Sequence, residues 1–366
     1  MISKSDKKIL QELAKRVAEF ANLPIMEKRR KLWIKLNKLE RTRPLILVFP
    51  ENSWGELLPE SALKCSGQKA RKYEWELRSR IYEHENFYHD KPVEKNWIVH
   101  KVITTTGWGL EAKYHKSSSK NGARTYNPVI KEAADLEKLR YPEVKYDKEQ
   151  TEKELNLTKE LFADILNVKL KGVDRIDFHL MQLYSDLRGL NQVMLDMYDN
   201  PGMLHQAMSI FTAGYKHVLQ QYQEMNLLDL NNDETYNNSG GVGYTDQLPQ
   251  SDFNKNDKVR LSDMWGCAES QELAQVSPAM HNEFALKYEK ELLAPFGLTG
   301  YGCCEPLTDK LEDVFEIPNI RRISISPWAD VEICAEKMKD NYIFSWKPNP
   351  AHIVGNFDHK QIKKIY

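Results

Sequence analysis

The ten residues Leu298-Thr299-Gly300-Tyr301-Gly302-Cys303-Cys304-Glu305-Pro306-Leu307 read as a short apolar strand running out into a loop that proline closes. Side chains alternate along a strand. Tyr301, Cys303 and Glu305 therefore share one face, and Cys304 points away unless a bulge turns it. A thiol and a carboxyl side by side at a strand end suit metal ligation or acid–base chemistry. Helix-periodic residues 277–294 precede the strand and 307–316 follow it.

That unit repeats. Working outward, residues 198–226 read as a helix before a strand at 227–230, and a Gly/Asn-rich excursion over 231–257 leads to a strand at 260–267. After the central unit come strand 321–326, helix 330–339 and strand 342–346. Upstream, 45–49 reads as a buried strand between two prolines, 63–89 as a charged helix and 97–106 as β-rich. Residues 113–127 read as an exposed loop or hairpin, 149–165 as a helix and 167–179 as a strand. Strands alternating with helices predict a parallel α/β fold, and residues 1–40 a helical segment in front of it. Candidate chemistry falls where strands end, on the face that carries the active site of a closed (β/α)₈ TIM barrel. A doubly wound sheet would also use carboxyl ends, but no GxGxxG or GxxxxGK[ST] supports a nucleotide fold.

The chain has 366 residues, and 52 Lys+Arg against 53 Asp+Glu leave a net charge of −1, which gives no sign of nucleic-acid binding. The charged N-terminus is no secretory signal, and no window approaches the about 18 apolar residues of a membrane span. Five irregularly spaced cysteines fit reduced thiols in a cytoplasm better than a disulfide framework.

Several constellations invite a functional reading beside a structural one. Cys303 and Glu305 suit ligation or proton transfer, or are a buried thiol beside a surface acid. In Trp265-Gly266-Cys267-Ala268-Glu269-Ser270-Gln271-Glu272, Glu269 is a carboxylate ligand or base, or else Glu269 or Glu272 starts a helix with Ser270. His179 ends a strand and lies on the active face if that strand belongs to the barrel. The Gly-rich 238–246 reads first as a flexible loop, with Tyr244 as a lid residue in the alternative. Trp54 and Trp328 follow strand-like runs and suit a pocket wall or a core. In Lys347-Pro348-Asn349-Pro350 the prolines hold Lys347 and Asn349 extended, as substrate donors or in a rigid turn.

Residues 265–272, Val276-Ser277-Pro278 before a helix, 301–307, Ile325-Ser326-Pro327-Trp328-Ala329-Asp330 and Lys347-Pro348-Asn349-Pro350-Ala351 together resemble the uroporphyrinogen decarboxylase superfamily. Within it they resemble the branch related to corrinoid-dependent methyltransferases. The resemblance runs from about residue 40 to the end. It implies a TIM barrel over 41–366, ending at Tyr366 inside the helix that should lead to its last strand. Methyltransferase members hold a zinc through the cysteine of a His-x-Cys-Gly motif, and Cys303 matches that cysteine. Tyr301 stands where the histidine would, so Glu269, His179 or Glu305 would complete the set. Decarboxylase members carry an Arg-Gln-Ala-Gly-Arg run that meets substrate carboxylates. This chain has Pro50-Glu51-Asn52-Ser53-Trp54-Gly55-Glu56 after residues 45–49, with no arginine and two repelling acids.

The expectation is thus a cytoplasmic, zinc-dependent methyltransferase of TIM-barrel fold. It would move a methyl group between a small O- or N-methylated compound and a separate corrinoid (cobalamin) protein. Zinc would sit on Cys303 with Glu269, Glu305 or His179, and Glu269 and Glu305 would carry protons. Trp54, His179, Tyr244, Trp328, Lys347 and Asn349 would line the substrate. The alternatives are a metal-independent decarboxylase and a non-catalytic binding barrel.

Overall fold

The structure is a computed structural model that describes residues 2–115, 125–237, 239–254, 256–353 and 358–365. Two helices open the chain, α1 Lys4–Ala21 and α2 Pro24–Asn37, broken where Pro24 predicts. Ser3 caps α1 by accepting from the Asp6 N–H at 3.1 Å. Leu10, Ala14, Val17 and Ala21 make its buried stripe. Next come α3 Trp54–Leu57, α4 Gln68–Asn86 and later α5 Lys148–Phe162. Leu77 of α4 and Phe162 of α5 join the α1 stripe in an N-terminal core. A larger core gathers α6 Leu180–Arg188, α7 Leu190–Asp199 and α8 Pro201–Glu224 around residues 261–338. Among the described residues no helix is long and apolar enough to cross a membrane.

The strands are β1 Asn96–His100, β2 Val102–Thr105, β3 Lys113–His115, β4 Thr125–Asn127, β5 Val144–Asp147, β6 Asn167–Lys171, β7 Asp177–Phe178, β8 Tyr236–Asn237, β9 Gly241–Val242, β10 Trp265–Ala268, β11 Leu298–Tyr301, β12 Ile320–Ile325 and β13 Ile343–Trp346. Five form one parallel sheet in the order β13-β12-β11-β10-β7, and β1 pairs parallel with β6. The segment 167–178 bridges the two sheets, because β6 and β7 are its ends. Between them Val173 makes a parallel bridge to Leu228, all that forms of the strand expected at 227–230. Helices between consecutive strands force the parallel arrangement, and β10 and β11 are buried throughout, as a sheet covered on both faces requires. The fold is therefore mixed α/β around parallel strands. The expected hairpin at 113–127 forms at its ends as β3 and β4, and its centre lies outside the described residues.

Two expectations are corrected. The apolar run 45–49 pairs with no strand. Ile46 and Phe49 are exposed, and the segment is instead pinned by Asp90, whose N–H donates to the Ile46 carbonyl at 2.7 Å while its carboxylate accepts from the Ile46 N–H at 2.8 Å. Flanking prolines remove donors, and hydrophobicity alone does not build a ladder. The Gly-rich segment is the second. It is no flexible loop but a buried hairpin, β8–β9, wedged against the sheet. Ser345 Oγ donates to the Gly240 carbonyl at 2.6 Å, and Asn37 Nδ2 donates to the carbonyls of Val242 and Tyr244 at 3.0 and 2.7 Å. A Cβ on Gly241 would lie 2.4 Å from Arg322 Cζ, and one on Gly243 would lie 1.9 Å from the Asn231 carbonyl oxygen. These glycines serve close approach, not mobility. Gly243→Ala must push backbone against backbone, so we expect a loss of about 1–3 kcal/mol in urea unfolding. An unchanged midpoint would show that the hairpin is not wedged in solution.

Candidate active site

Parallel register gathers the site. Ala268 lies opposite both Phe178 and Tyr301, Tyr301 opposite Ile323, and Ile325 opposite Trp346. The residues just beyond these strand ends, His179, Glu269, Cys303 and Lys347, therefore emerge along one edge. Gly302 has φ +88°, a conformation glycine adopts without strain, and the chain leaves the strand there and bends through residues 303–305. A Cβ at Gly302 would stand 2.8 Å from the Leu307 side chain.

His179 Nδ1 and Glu269 Oε1 are 2.6 Å apart, and Glu269 Oε2 accepts from the Gln271 N–H at 2.9 Å. The Glu269 carboxylate holds the imidazole proton tighter than usual, raising the pKa of His179. Glu305 is fully buried. Its two oxygens accept from the N–H groups of Ser270 at 3.2 Å and Cys303 at 2.9 Å, so it ties the β10 and β11 loops together. Burial, then the Glu269 charge, raises its pKa. Lys347 Nζ donates to the Cys303 carbonyl at 3.0 Å and stands 3.7 Å from Cys303 Sγ. Cys303 Sγ and Cys304 Sγ are 3.6 Å apart. Burial pushes the Cys303 thiol up and raises the pKa of Asp177 as well.

Beside this edge lies an open depression of about 480 Å³, lined among others by Leu190, Gln271, Glu272, Cys304, Pro306 and Trp328. Glu272 is its acid. Burial and then the Glu269 carboxylate push it up to about 7, and its Oε2 is buried without a hydrogen-bond partner. Residue-by-residue reading treats Glu272 only as a helix-start alternative: Glu269 is close by in sequence, but the burial that raises Glu272 most is not legible there.

A buried layer lies beneath. Glu289 accepts from Ser270 Oγ at 2.7 Å and from the Tyr301 hydroxyl at 2.8 Å, and His281 Nε2 lies 2.9 Å from that hydroxyl. No lysine or arginine bonds Glu289 among the described residues, and burial pushes it up to about 8. His281 is pushed down to about 3, again by burial, and its Nδ1 has no partner. Both residues sit on the helical stretch 278–293, interrupted by a π-turn at Asn282–Leu286. Eight residues of regular helix would place them about 80° apart, and the extra residue of the π-turn brings them within about 20°. Sequence periodicity does not show such an insertion.

The structure thus brings together Cys303, Glu305, Glu269, His179 and Lys347, and places Trp328, exposed at 70%, on the rim. It does not bring in the other three. Tyr244 is buried against α2, where its hydroxyl donates to Glu94 at 2.5 Å, since the wedged hairpin carries it inward. Trp54 packs on Trp75 and Tyr82 with ring centroids 5.6 and 5.8 Å away. Asn349 Oδ1 accepts from the Ala351 N–H at 3.0 Å and caps the turn Pro350–Ile353.

The expected zinc donors lie along one edge but are turned to one another and to backbone. Both Glu305 oxygens accept backbone N–H groups, both Glu269 oxygens are bonded, and an ammonium stands beside Cys303. Among the described residues no three His, Cys, Asp or Glu side chains form a metal-holding group. This donor set does not fit a zinc, and no step of the proposed chemistry passes through one.

Compared with known protein families, with curated proteins and with solved structures, the chain matches none of them.

The buried acid makes a test. Between about pH 4.5 and about 8 Glu289 is protonated when folded and ionised when unfolded. The folded state then binds more protons, so this contribution to stability is present below the window and is lost as pH rises through it. Glu289→Gln should flatten the fall in urea midpoint between about pH 5 and about pH 8. An unaltered pH slope would mean that Glu289 is ionised in the folded protein.

Proposed function

We propose that this chain is a methyltransferase of the uroporphyrinogen decarboxylase type. Its parallel strands would belong to one (β/α)₈ barrel, and its site would pass a methyl group from a small O- or N-methylated compound to a corrinoid on a separate protein. The observation that carries the reading is Glu272, an acid protonated up to near neutral pH, with an unpartnered oxygen, on the wall of the depression. Breaking a methyl–oxygen bond leaves an alkoxide, a poor leaving group. A proton delivered to that oxygen as the bond breaks removes the charge. In this site Glu272 donates the proton to the leaving heteroatom. The His179–Glu269 pair keeps a carboxylate charge beside Glu272, which holds the acid protonated until the substrate arrives. Glu305 fixes the two loops that carry Glu269 and Cys303. Lys347 holds the Cys303 carbonyl, and the exposed ring of Trp328 covers the apolar part of a small substrate.

A cognate corrinoid protein mixed with this chain and a panel of methyl ethers and methylamines should show the cobalt spectrum of the methylated corrinoid for at least one donor. Glu272→Gln should lower that rate by about 100-fold or more with little change in KM. The wild-type rate should fall as pH rises through about 7, where Glu272 loses its proton. If no donor methylates the corrinoid, the reading is lost.

The runner-up, decarboxylation, would use the same acid to protonate a carbanion. Segment 50–56 carries no arginine to meet a polycarboxylate. Anaerobic uroporphyrinogen should therefore not be turned over, and a rate on the order of 1 per second would make decarboxylation the function.

A further inference from the structure

Cys303 and Cys304 are neighbours in sequence, and in an extended chain their thiols would point to opposite sides. Here the strand ends at Tyr301 and the chain bends through residues 303–305, and the two sulfurs lie 3.6 Å apart. That separation is far beyond the about 2.05 Å of a disulfide. It matches two sulfurs that share one soft centre, because bonds of about 2.3 Å at angles between about 95° and 110° put them about 3.4–3.8 Å apart. Cys304 is exposed and lines the depression, so the pair is reachable from solvent.

We propose that Cys303 and Cys304 form a dithiol site for a neutral, trivalent organoarsenical, whose single arsenic atom bridges both sulfurs while its organic group lies in the depression. Donor count selects this class. Only two soft donors, the two thiols, stand here; the neighbouring carboxyls are hard oxygen donors, and those of Glu269 and Glu305 are already bonded. A zinc-like ion needs three or four protein ligands, whereas an arsenic atom that already carries one carbon needs two. Charge selects it again. Lys347 Nζ stands 3.7 Å from Cys303 Sγ and opposes a bound cation, while the bridged arsenical is uncharged. Leu190 and Trp328 on the rim suit an organic substituent. The step is a condensation: R–As(OH)₂ and two thiols give R–As(S–Cys)₂ and two waters. Two As–O and two S–H bonds break, two As–S and two O–H bonds form, and arsenic stays trivalent. The site does not depend on the methyl transfer proposed for the neighbouring acid.

The test uses the reduced full-length chain with phenylarsine oxide, read by intact mass and by thiol titration. One adduct should form, and two of the five thiols should disappear together. An added dithiol should reverse it, and an equal concentration of monothiol should not. Cys303→Ser and Cys304→Ser should each weaken binding by about 100-fold, the loss of the second, intramolecular contact. Cys267→Ser, which removes a buried thiol, should leave binding unchanged. Loss of one thiol, no adduct, or a single variant that keeps wild-type affinity would each overturn the site. Should either variant fail to fold, stoichiometry and reversal in the wild-type chain decide alone.

Discussion

Everything around the sheet depends on how one buried charge is accommodated. Arg322 of β12 is wholly buried, its ring partner is Trp265 at 5.1 Å, and burial pushes its pKa down to about 10. Its Nη2 donates to the Asn37 side-chain oxygen and to the Val242 carbonyl. Asn37 in turn donates to two carbonyls of the hairpin. Its Nε and Nη1 are buried without a hydrogen-bond partner, so the charge rests on these two acceptors and the Trp265 ring, and losing one would cost on the order of several kcal/mol. One side chain thereby fastens the N-terminal helices, the Gly-rich hairpin and the parallel sheet to one another.

The C-terminal half was legible in the sequence. Strand runs at 298–303, 321–326 and 342–346 and the helices between them carry their own periodicity, but strand β11 ends at Tyr301 and its loop bends, so Cys304 lies beside Cys303 instead of pointing away. Elsewhere local pattern competed with tertiary contacts and lost. Residues 45–49 are apolar enough for a strand, but the Asp90 carboxylate takes their backbone donor. The glycines at 240–243 look like mobility when read alone. Only the atoms they approach, on Ser345, Arg322 and Asn231, show that they exist to let the chain in.

The site divides the same way. His179, Glu269, Cys303 and Lys347 could be placed from strand ends alone, because parallel strands in register must deliver their succeeding residues to one edge. Glu272, Glu289 and His281 could not. Their properties come from burial, which a local pattern does not show: burial and then Glu269 push Glu272 up, and burial pushes Glu289 up against two hydroxyl donors that pull it down. Their chemistry is that of excess negative charge. Asp177, Glu272, Glu289 and Glu305 crowd one region around Glu269, and burial raises the pKa of each of these four. Tyr244 and Trp54 fail as pocket residues for a complementary reason, since large aromatics are taken into whatever apolar surface lies nearest.

The π-turn at 282–286 also sets how the helix tolerates a change of length. His281 and Glu289 flank it and both reach the Tyr301 hydroxyl. Removing one residue from the turn would leave about seven residues of regular helix between them, still within about 20° of one face. One residue lost from the regular turns on either side has no such slack to draw on.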